Sequence, residues 1–252
     1  MTAWARRFVL ALQFLTVVTL VPRLEPRAGD RGGSMVFYPV IGLLLGLAVA
    51  GAAYGLGQVF PPLVTAVLVV ALWEFLTRGL HLDGLADVAD AFVGTSDRTR
   101  TLEILHDTRV GVFGAAAVFF VILLKVALVA HLGPHRSLGL LLVPVMPRLV
   151  MVFLAWALPS AGGSLGKPFV EELRWGHALA AAVLAAAVLL LLGGWGGVWL
   201  GLVGLTWALI WGGYVWLRLR GVTGDCLGAA GELGEAALLA TWLLAPGGPW
   251  WP

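Results

Sequence analysis

Charge is what this sequence has least of. Only 12% of its 252 residues are Asp, Glu, Lys or Arg, and 60% are hydrophobic, whereas a soluble domain is about a quarter charged. With a mean hydropathy of +0.94, the composition excludes an ordinary water-soluble domain and indicates an integral membrane protein. Cysteine is almost absent. The single Cys226 rules out an internal disulfide and a cysteine zinc site. A net charge of only +2 leaves no basic footprint for nucleic acid. The chain also lacks a P-loop, a GxSxG elbow and an HExxH pair, so ATP-driven transport, serine hydrolysis and zinc-protease chemistry have no signature in it.

What the chain has is long apolar runs, 34 Gly and 12 Trp. About 20 apolar residues cross a bilayer core. Seven such runs stand out, near 36–60, 61–80, 111–132, 137–158, 177–193, 195–217 and 226–246. "FPP" at 60–62 and "GGWGG" at 193–197 read as tight turns between neighbouring runs. Segment 7–22 is an eighth candidate, short and with a polar side (Gln13, Thr16, Thr19); it could span, re-enter or lie in the interface, and the interface is favoured. It imitates a signal peptide, but no small-residue cleavage site follows, and it is expected to stay in the mature protein. "PGGPWWP" at the C-terminus reads as an interfacial anchor. The expected fold is all-α: one polytopic transmembrane bundle over residues 1–252, with about seven spans and an N-terminal interfacial or re-entrant helix. No internal repeat is visible.

With seven spans, segments 23–35, 81–110, 159–176 and 218–225 fall on one side. They carry Arg23, Arg27, Arg31, Arg98, Arg100, Arg109, Lys167, Arg174, Arg218 and Arg220, against Arg136 alone on the other. Positive charge collects in the cytoplasm, which places these segments there.

One of them is rich in acid. Residues 81–109 hold Asp83, Asp87, Asp90, Asp97, Glu103 and Asp107, six of the chain's fourteen carboxylates. In "HLDGLADVAD", Asp83, Asp87 and Asp90 stand at i, i+4 and i+7, on one helical face. Like charges so placed repel, and a cation among them would offset that. Hard oxygen ligands suit Mg²⁺ or Mn²⁺, and Mg²⁺ commonly joins one or two carboxylates to a substrate phosphate. The plain alternative is a solvated stretch of unrelated acids. A second cluster, "GVTGDCLGAAGELGE", opens the last run with Asp225 and buries Glu232 and Glu235 in it. Asp225 could serve only as a helix N-cap, whereas acids inside a membrane are functional candidates. Arg109 follows the acidic stretch, Lys125 lies mid-run, and Arg148 stands beside Pro147. Arginine suits bidentate phosphate contacts. Lys125 could contact substrate or simply neutralise a carboxylate such as Glu232. His81 abuts the acidic face and could act as a base or a phosphate contact. His106 adjoins Asp107, and His131, His135 and His177 sit at run ends, where solvated histidines are common. A Mg²⁺ site ringed by arginine at the cytoplasmic mouth of a bundle favours phosphoryl chemistry on a phosphoanhydride.

The blocks "FLTVVTLVPR…FYPVIGLLLG", "HLDGLADVADAF", "EILHDTRVGVFG" and "GDCLGAAGELGE" together resemble the adenosylcobinamide-GDP ribazoletransferases, or cobalamin synthases, in order across nearly the whole chain. The resemblance implies a Mg²⁺-dependent enzyme of the bacterial cytoplasmic membrane, with its site facing the cytoplasm. A ribosyl hydroxyl of α-ribazole, or of its 5′-phosphate, would attack the cobinamide-side phosphorus of adenosylcobinamide-GDP and release GMP. Carried over, Asp83 and Asp87 are the metal ligands. Asp90 is the next ligand or the base, and His81 is also in range for that role. Asp107 and Arg109 close on the pyrophosphate. Asp225 and Glu232 match the last-span block, whose middle position, commonly Thr, is Cys226 here. From the residues alone, and not from the resemblance, Arg148 and Lys125 are added as substrate contacts; between 159 and 200 the resemblance gives a role to Lys167 only. The lipid bilayer is the other partner; a homo-oligomer is left open.

Two other readings compete. A CDP-alcohol phosphotransferase also begins its motif with Asp-Gly, but its later Gly-x-x-x-Asp-x-x-x-Asp is missing. A cation transporter could use Lys125, Glu232 and Glu235, yet only one clearly interrupted run is present where transporters tend to have paired ones.

Overall fold

The computed structural model describes residues 1–133, 136–162 and 166–244, so His135 and the "PGGPWWP" anchor lie outside the described residues. The described chain is all helical apart from one isolated bridge between Ser160 and Val222. Helix α1 (Ala3–Leu15) is capped by Thr2, whose hydroxyl accepts from the Ala5 N–H at 3.3 Å. Its 13 residues extend about 20 Å at 1.5 Å per residue, short of the roughly 30 Å hydrocarbon core. Its length fits the interfacial or re-entrant readings of this segment better than the spanning one. It is pinned by Arg6, buried and paired with Asp30 at 2.5 Å, at the start of α2 (Asp30–Ser34). A 3₁₀ turn (Met35–Phe37) then leads into α3 (Tyr38–Leu56).

Helix α4 (Pro62–Leu76) and α5 (Leu80–Gly94) were expected to part near residue 80, and the chain bends there by 89°. Arg78 (φ 58°) and Gly79 (φ 62°) both take left-handed conformations. The Gly79 N–H closes back on the Glu74 carbonyl at 2.9 Å, the closure that ends many helices. Helix α6 (Arg98–Leu105) begins under the Asp97 side chain. Helix α7 (Val112–His131) follows, then α8 (Arg136–Leu142), α9 (Val145–Ala157) and the short α10 (Lys167–Glu172). The 45-residue α11 (Trp175–Leu219) breaks at Gly194, whose φ of 51° and ψ of −127° are non-helical. Unbroken, it would extend about 68 Å, twice a bilayer core. The break falls inside the expected "GGWGG" turn and leaves arms 175–193 and 195–219, each of membrane length. Helix α12 (Gly224–Leu243) closes the fold.

By length and hydropathy, four helical stretches can cross a membrane: Asp30–Leu56, Val112–His131, Ser137–Ala157 and Trp175–Leu219. The bent α4–α5 pair makes five if it counts as one crossing. The seven-span expectation exceeds this count because α4 alone is short, α11 is one merged stretch and α12 carries three acids.

Burial separates the inside of the bundle from its lipid-facing rim. In the apolar stretch of Ser137–Ala157, 78% of the residues are buried, against 17% in the apolar stretch of α11. The exposed side of α11 is apolar (Leu191, Trp195, Leu209), as lipid contact requires. Helix α12 is central and buried on nearly all sides. Lipid tails are as apolar as leucine, so packing within a membrane favours small residues that let backbones meet. Helices α5 and α12 meet in this way: a Cβ on Gly84 would stand 2.8 Å from the Asp225 carbonyl oxygen, and Gly228 faces His81.

Candidate active site

The α5–α12 crossing brings the two acidic motifs together. Asp83, Asp87 and Asp90 lie on one helix, as their spacing predicted. Asp225 comes up in the first turn of α12. Its alternative role as N-cap is taken by Thr223, whose hydroxyl accepts from the Cys226 N–H at 3.3 Å. Asp225 is thereby left to the acid cluster. Asp87 registers the crowding: burial, then the charges of Asp83, Asp225 and Asp90, raise its pKa to about 7. All four influences push the same way.

Asp90 is turned elsewhere. Its carboxylate accepts from the backbone N–H groups of Gly111 (2.7 Å) and Gly114 (2.9 Å), capping α7 from another helix. Helix starts leave such N–H groups free and favour negative charge. Asp90 thus links α5 to α7, and only its remaining lone pairs face other partners.

Two clefts meet at Asp83. One is a narrow pocket of about 100 Å³ whose lining includes Phe14, Met35, Tyr38, His81, Phe169 and Asp225. The other is an open cleft of about 930 Å³ between the α4–α5 bend and α7, lined by Arg78, Val110, Val118 and Phe119 among others. Phe14, Leu80 and Asp83 belong to both. His81 is buried, its pKa held well below the usual imidazole value first by burial and then by the Arg148 and Lys125 charges. Its Nδ1 has no partner within the described residues.

Beneath the clefts lies a buried ionic network. The Lys125 ammonium donates to Glu74 (2.6 Å), Glu232 (3.0 Å) and Glu235 (2.5 Å), and packs 4.7 Å from the Trp73 ring centroid. Arg148 pairs with Glu235, which also accepts from the Trp73 indole at 3.2 Å. Oxygens of the three glutamates lie within 4.8 Å of one another, close enough to hold a metal ion; here the ammonium bonds all three. Lys125 is thus paired with three carboxylates, and neither it nor Glu232 lines either cleft. Arg148 is fully buried, with Nε and Nη2 unpartnered among the described residues.

Asp107 and Arg109 pair with each other at 2.7 Å on the exposed connection before α7, with the guanidinium side chain 86% exposed. That neighbour lowers the Asp107 pKa to about 2. Lys167 is exposed and lies 3.7 Å from Glu171. His106 and His131 bond local carbonyls, and His177 sits in the first-turn cap of α11. Sequence reasoning passed over Glu74, although a lone acid inside the apolar run "VALWEFL" was a signal. It also missed Arg78 and Phe14, whose roles arise only from the bend at Arg78–Gly79.

A family model described as Cobalamin-5-phosphate synthase matches residues 7–243. An adenosylcobinamide-GDP ribazoletransferase of Acinetobacter baumannii is 38% identical over 94% of this chain and 97% of its own. Relatives of the same name from Syntrophobacter fumaroxidans and Pseudomonas fluorescens are each 41% identical, over 92% of this chain and 96% of theirs. No solved structure matches the chain.

Proposed function

The chain belongs to the cobalamin-5-phosphate synthase family, and from that membership we propose that the Asp83 junction is where its reaction takes place. The protein is an adenosylcobinamide-GDP ribazoletransferase acting in cobalamin biosynthesis. A hydroxyl of α-ribazole, or of its 5′-phosphate, attacks the cobinamide-side phosphorus. The new P–O ester forms, the anhydride bond to GMP breaks, and the hydroxyl proton is lost.

Asp83, Asp87 and Asp225 are the residues that would hold Mg²⁺. They form a hard-oxygen set drawn from two helices, and burial followed by the charges of Asp83, Asp225 and Asp90 raises the Asp87 pKa. When bound, the ion would act as a Lewis acid that neutralises charge on the pyrophosphate. Asp90 positions α5 against α7 and is not the first choice as a ligand. Arg109, on its exposed connection, turns to the pyrophosphate by exchanging Asp107 for phosphate oxygens, and Asp107 holds it ready. Arg78 supplies a second cation at the open cleft. The base is His81 or an Asp of the cluster; His81 is buried and lines the narrow pocket with Asp83. The Lys125–Glu232 network and Arg148 hold α12 in register below the site.

The membrane arrangement supported best is seven crossings of one domain, with the site on the cytoplasmic side. The break at Gly194 divides α11 in two, and α12 can cross because Lys125 and Arg148 pair with its glutamates. The excess of arginine beside α5 and α6 favours the cytoplasmic face.

The observation that carries the reading is one carboxylate of the acid cluster, Asp83, shared between two clefts of very different size, matching a two-substrate transfer. The test is GMP release by detergent-purified protein given adenosylcobinamide-GDP, α-ribazole and Mg²⁺. Chelator-sensitive GMP with a cobalamin product is expected. No GMP from a folded sample would overturn it.

A further inference from the structure

The two clefts differ in more than size. The narrow pocket presents three aromatic rings (Phe14, Tyr38, Phe169) and two thioethers (Met35, Met151), with Leu227 on the α12 side. Phe14 and Phe169 form a tilted pair, ring centroids 4.4 Å apart. No Lys or Arg lines this pocket among the described residues. Its polar side-chain groups are the Tyr38 hydroxyl, Asp83 and Asp225 together with His81, which is 97% buried (3% exposed) with an Nδ1 unpartnered among the described residues. A phosphate would find no cation there, whereas Arg78 stands in the open cleft across Asp83.

We propose that the narrow pocket binds the aromatic base of the acceptor, a flat bicyclic benzimidazole, and that the cobinamide–nucleotide donor occupies the open cleft. The assignment rests on the transferase reading above. A space of about 100 Å³ is on the scale of the roughly 150 Å³ cavity that takes one benzene, so it admits the edge of a flat aromatic ring system and excludes a corrin or a nucleotide. Rings and thioethers hold a π-face, and the free His81 nitrogen can bond the ring nitrogen that is not joined to the sugar. The ribose then projects past Asp83 and Asp225, so its hydroxyl meets the donor phosphorus at the carboxylate that both clefts share. An acceptor 5′-phosphate stays outside the pocket.

The test separates the two substrates. Phe169→Ala enlarges only the narrow pocket, and Val118→Trp narrows only the open cleft. For Phe169→Ala, KM for α-ribazole should rise roughly tenfold, the scale of one aromatic contact, with the donor KM within about twofold of the parent. Val118→Trp should do the reverse. Leu227→Phe, which fills the pocket, is the second variant if Phe169→Ala does not fold, and should raise the α-ribazole KM in the same selective way. Equilibrium dialysis of α-ribazole without donor or Mg²⁺ gives a readout independent of turnover. Unchanged α-ribazole affinity in both pocket variants, or an equal rise in donor KM, overturns the assignment. If the parent fails to bind α-ribazole alone but still releases GMP, the pocket is wrong and the transferase reading stands. If α-ribazole binds but no GMP forms, the transferase reading fails.

Discussion

Replacing Lys125 by methionine keeps the length of the side chain and removes one charge from the centre of the bundle. Lys125 and Arg148 stand among Glu74, Glu232 and Glu235, so the formal charge of the group goes from −1 to −2. Three carboxylates then lose a donor at 2.6, 3.0 and 2.5 Å, in a site where Lys125 itself has no exposure. Removing one partner of a buried pair costs about 3–5 kcal/mol, because the other charge stays buried. For a chain of this size that corresponds to a fall in melting midpoint of roughly 10 °C. The assay is thermal unfolding in detergent, read by monodispersity after heating. Lys125→Met combined with Glu232→Gln removes one charge of each sign and should recover part of the loss, which neither single change would do. A Lys125→Met protein melting within about 2 °C of the parent would refute the reasoning, since the glutamates would then have to be neutral without the ammonium.

Asp83→Asn and Asp87→Asn should each lower GMP release by at least about 100-fold, the scale of a lost metal ligand or charged contact, while leaving the melting midpoint near the parent's; near-parent turnover in either would remove it from the metal site. Asp90→Ala should instead destabilise the fold by about 1 kcal/mol through loss of the α7 cap. Abolished activity with an unchanged midpoint would return Asp90 to the chemistry. Asp87 holds its proton to about pH 7, above the ordinary carboxylate value, so the folded state binds more protons than the unfolded one over that window. Stability in chelator should therefore fall as pH rises from about 4 to 7. Mg²⁺ should raise the midpoint more at pH 8 than at pH 5.5, and an equal Mg²⁺ effect at both would count against Asp87 as a ligand. Arg109→Lys should raise the donor KM while leaving the midpoint unchanged, because lysine cannot make the planar bidentate contact; an unchanged KM would end its assignment to pyrophosphate.

Some of this was legible in the residues and some was not. The helical face of Asp83, Asp87 and Asp90 follows from the 3.6-residue repeat, which is local, and α5 carries it as expected. The turn at "GGWGG" was legible because clustered glycine punctuates a helix, and Gly194 breaks α11 there. The separate use of Asp90 was not. Spacing puts three acids on one face but cannot tell that the third reaches across 24 positions to the N–H of Gly114. Likewise "VILLKVALV" announced a buried cation, and Glu232 was named as a partner. That Glu74 and Glu235 share the same ammonium depends on how α4, α7 and α12 pack.

By itself, then, the sequence determined that the chain lives in a membrane, is helical, and gathers carboxylates on one helix face near an arginine-rich side. These are properties of composition and of short repeats, which each segment carries wherever it sits. The tertiary structure alone decided that Asp225 joins Asp83 and Asp87, that Asp90 leaves them to cap α7, and that Asp83 stands between a narrow aromatic pocket and an open cleft. Those facts depend on the 89° turn after α4 and on the glycine-permitted contact of α5 with α12. A helix crossing is set by the fit of two distant surfaces, and that fit has no period to read along one of them.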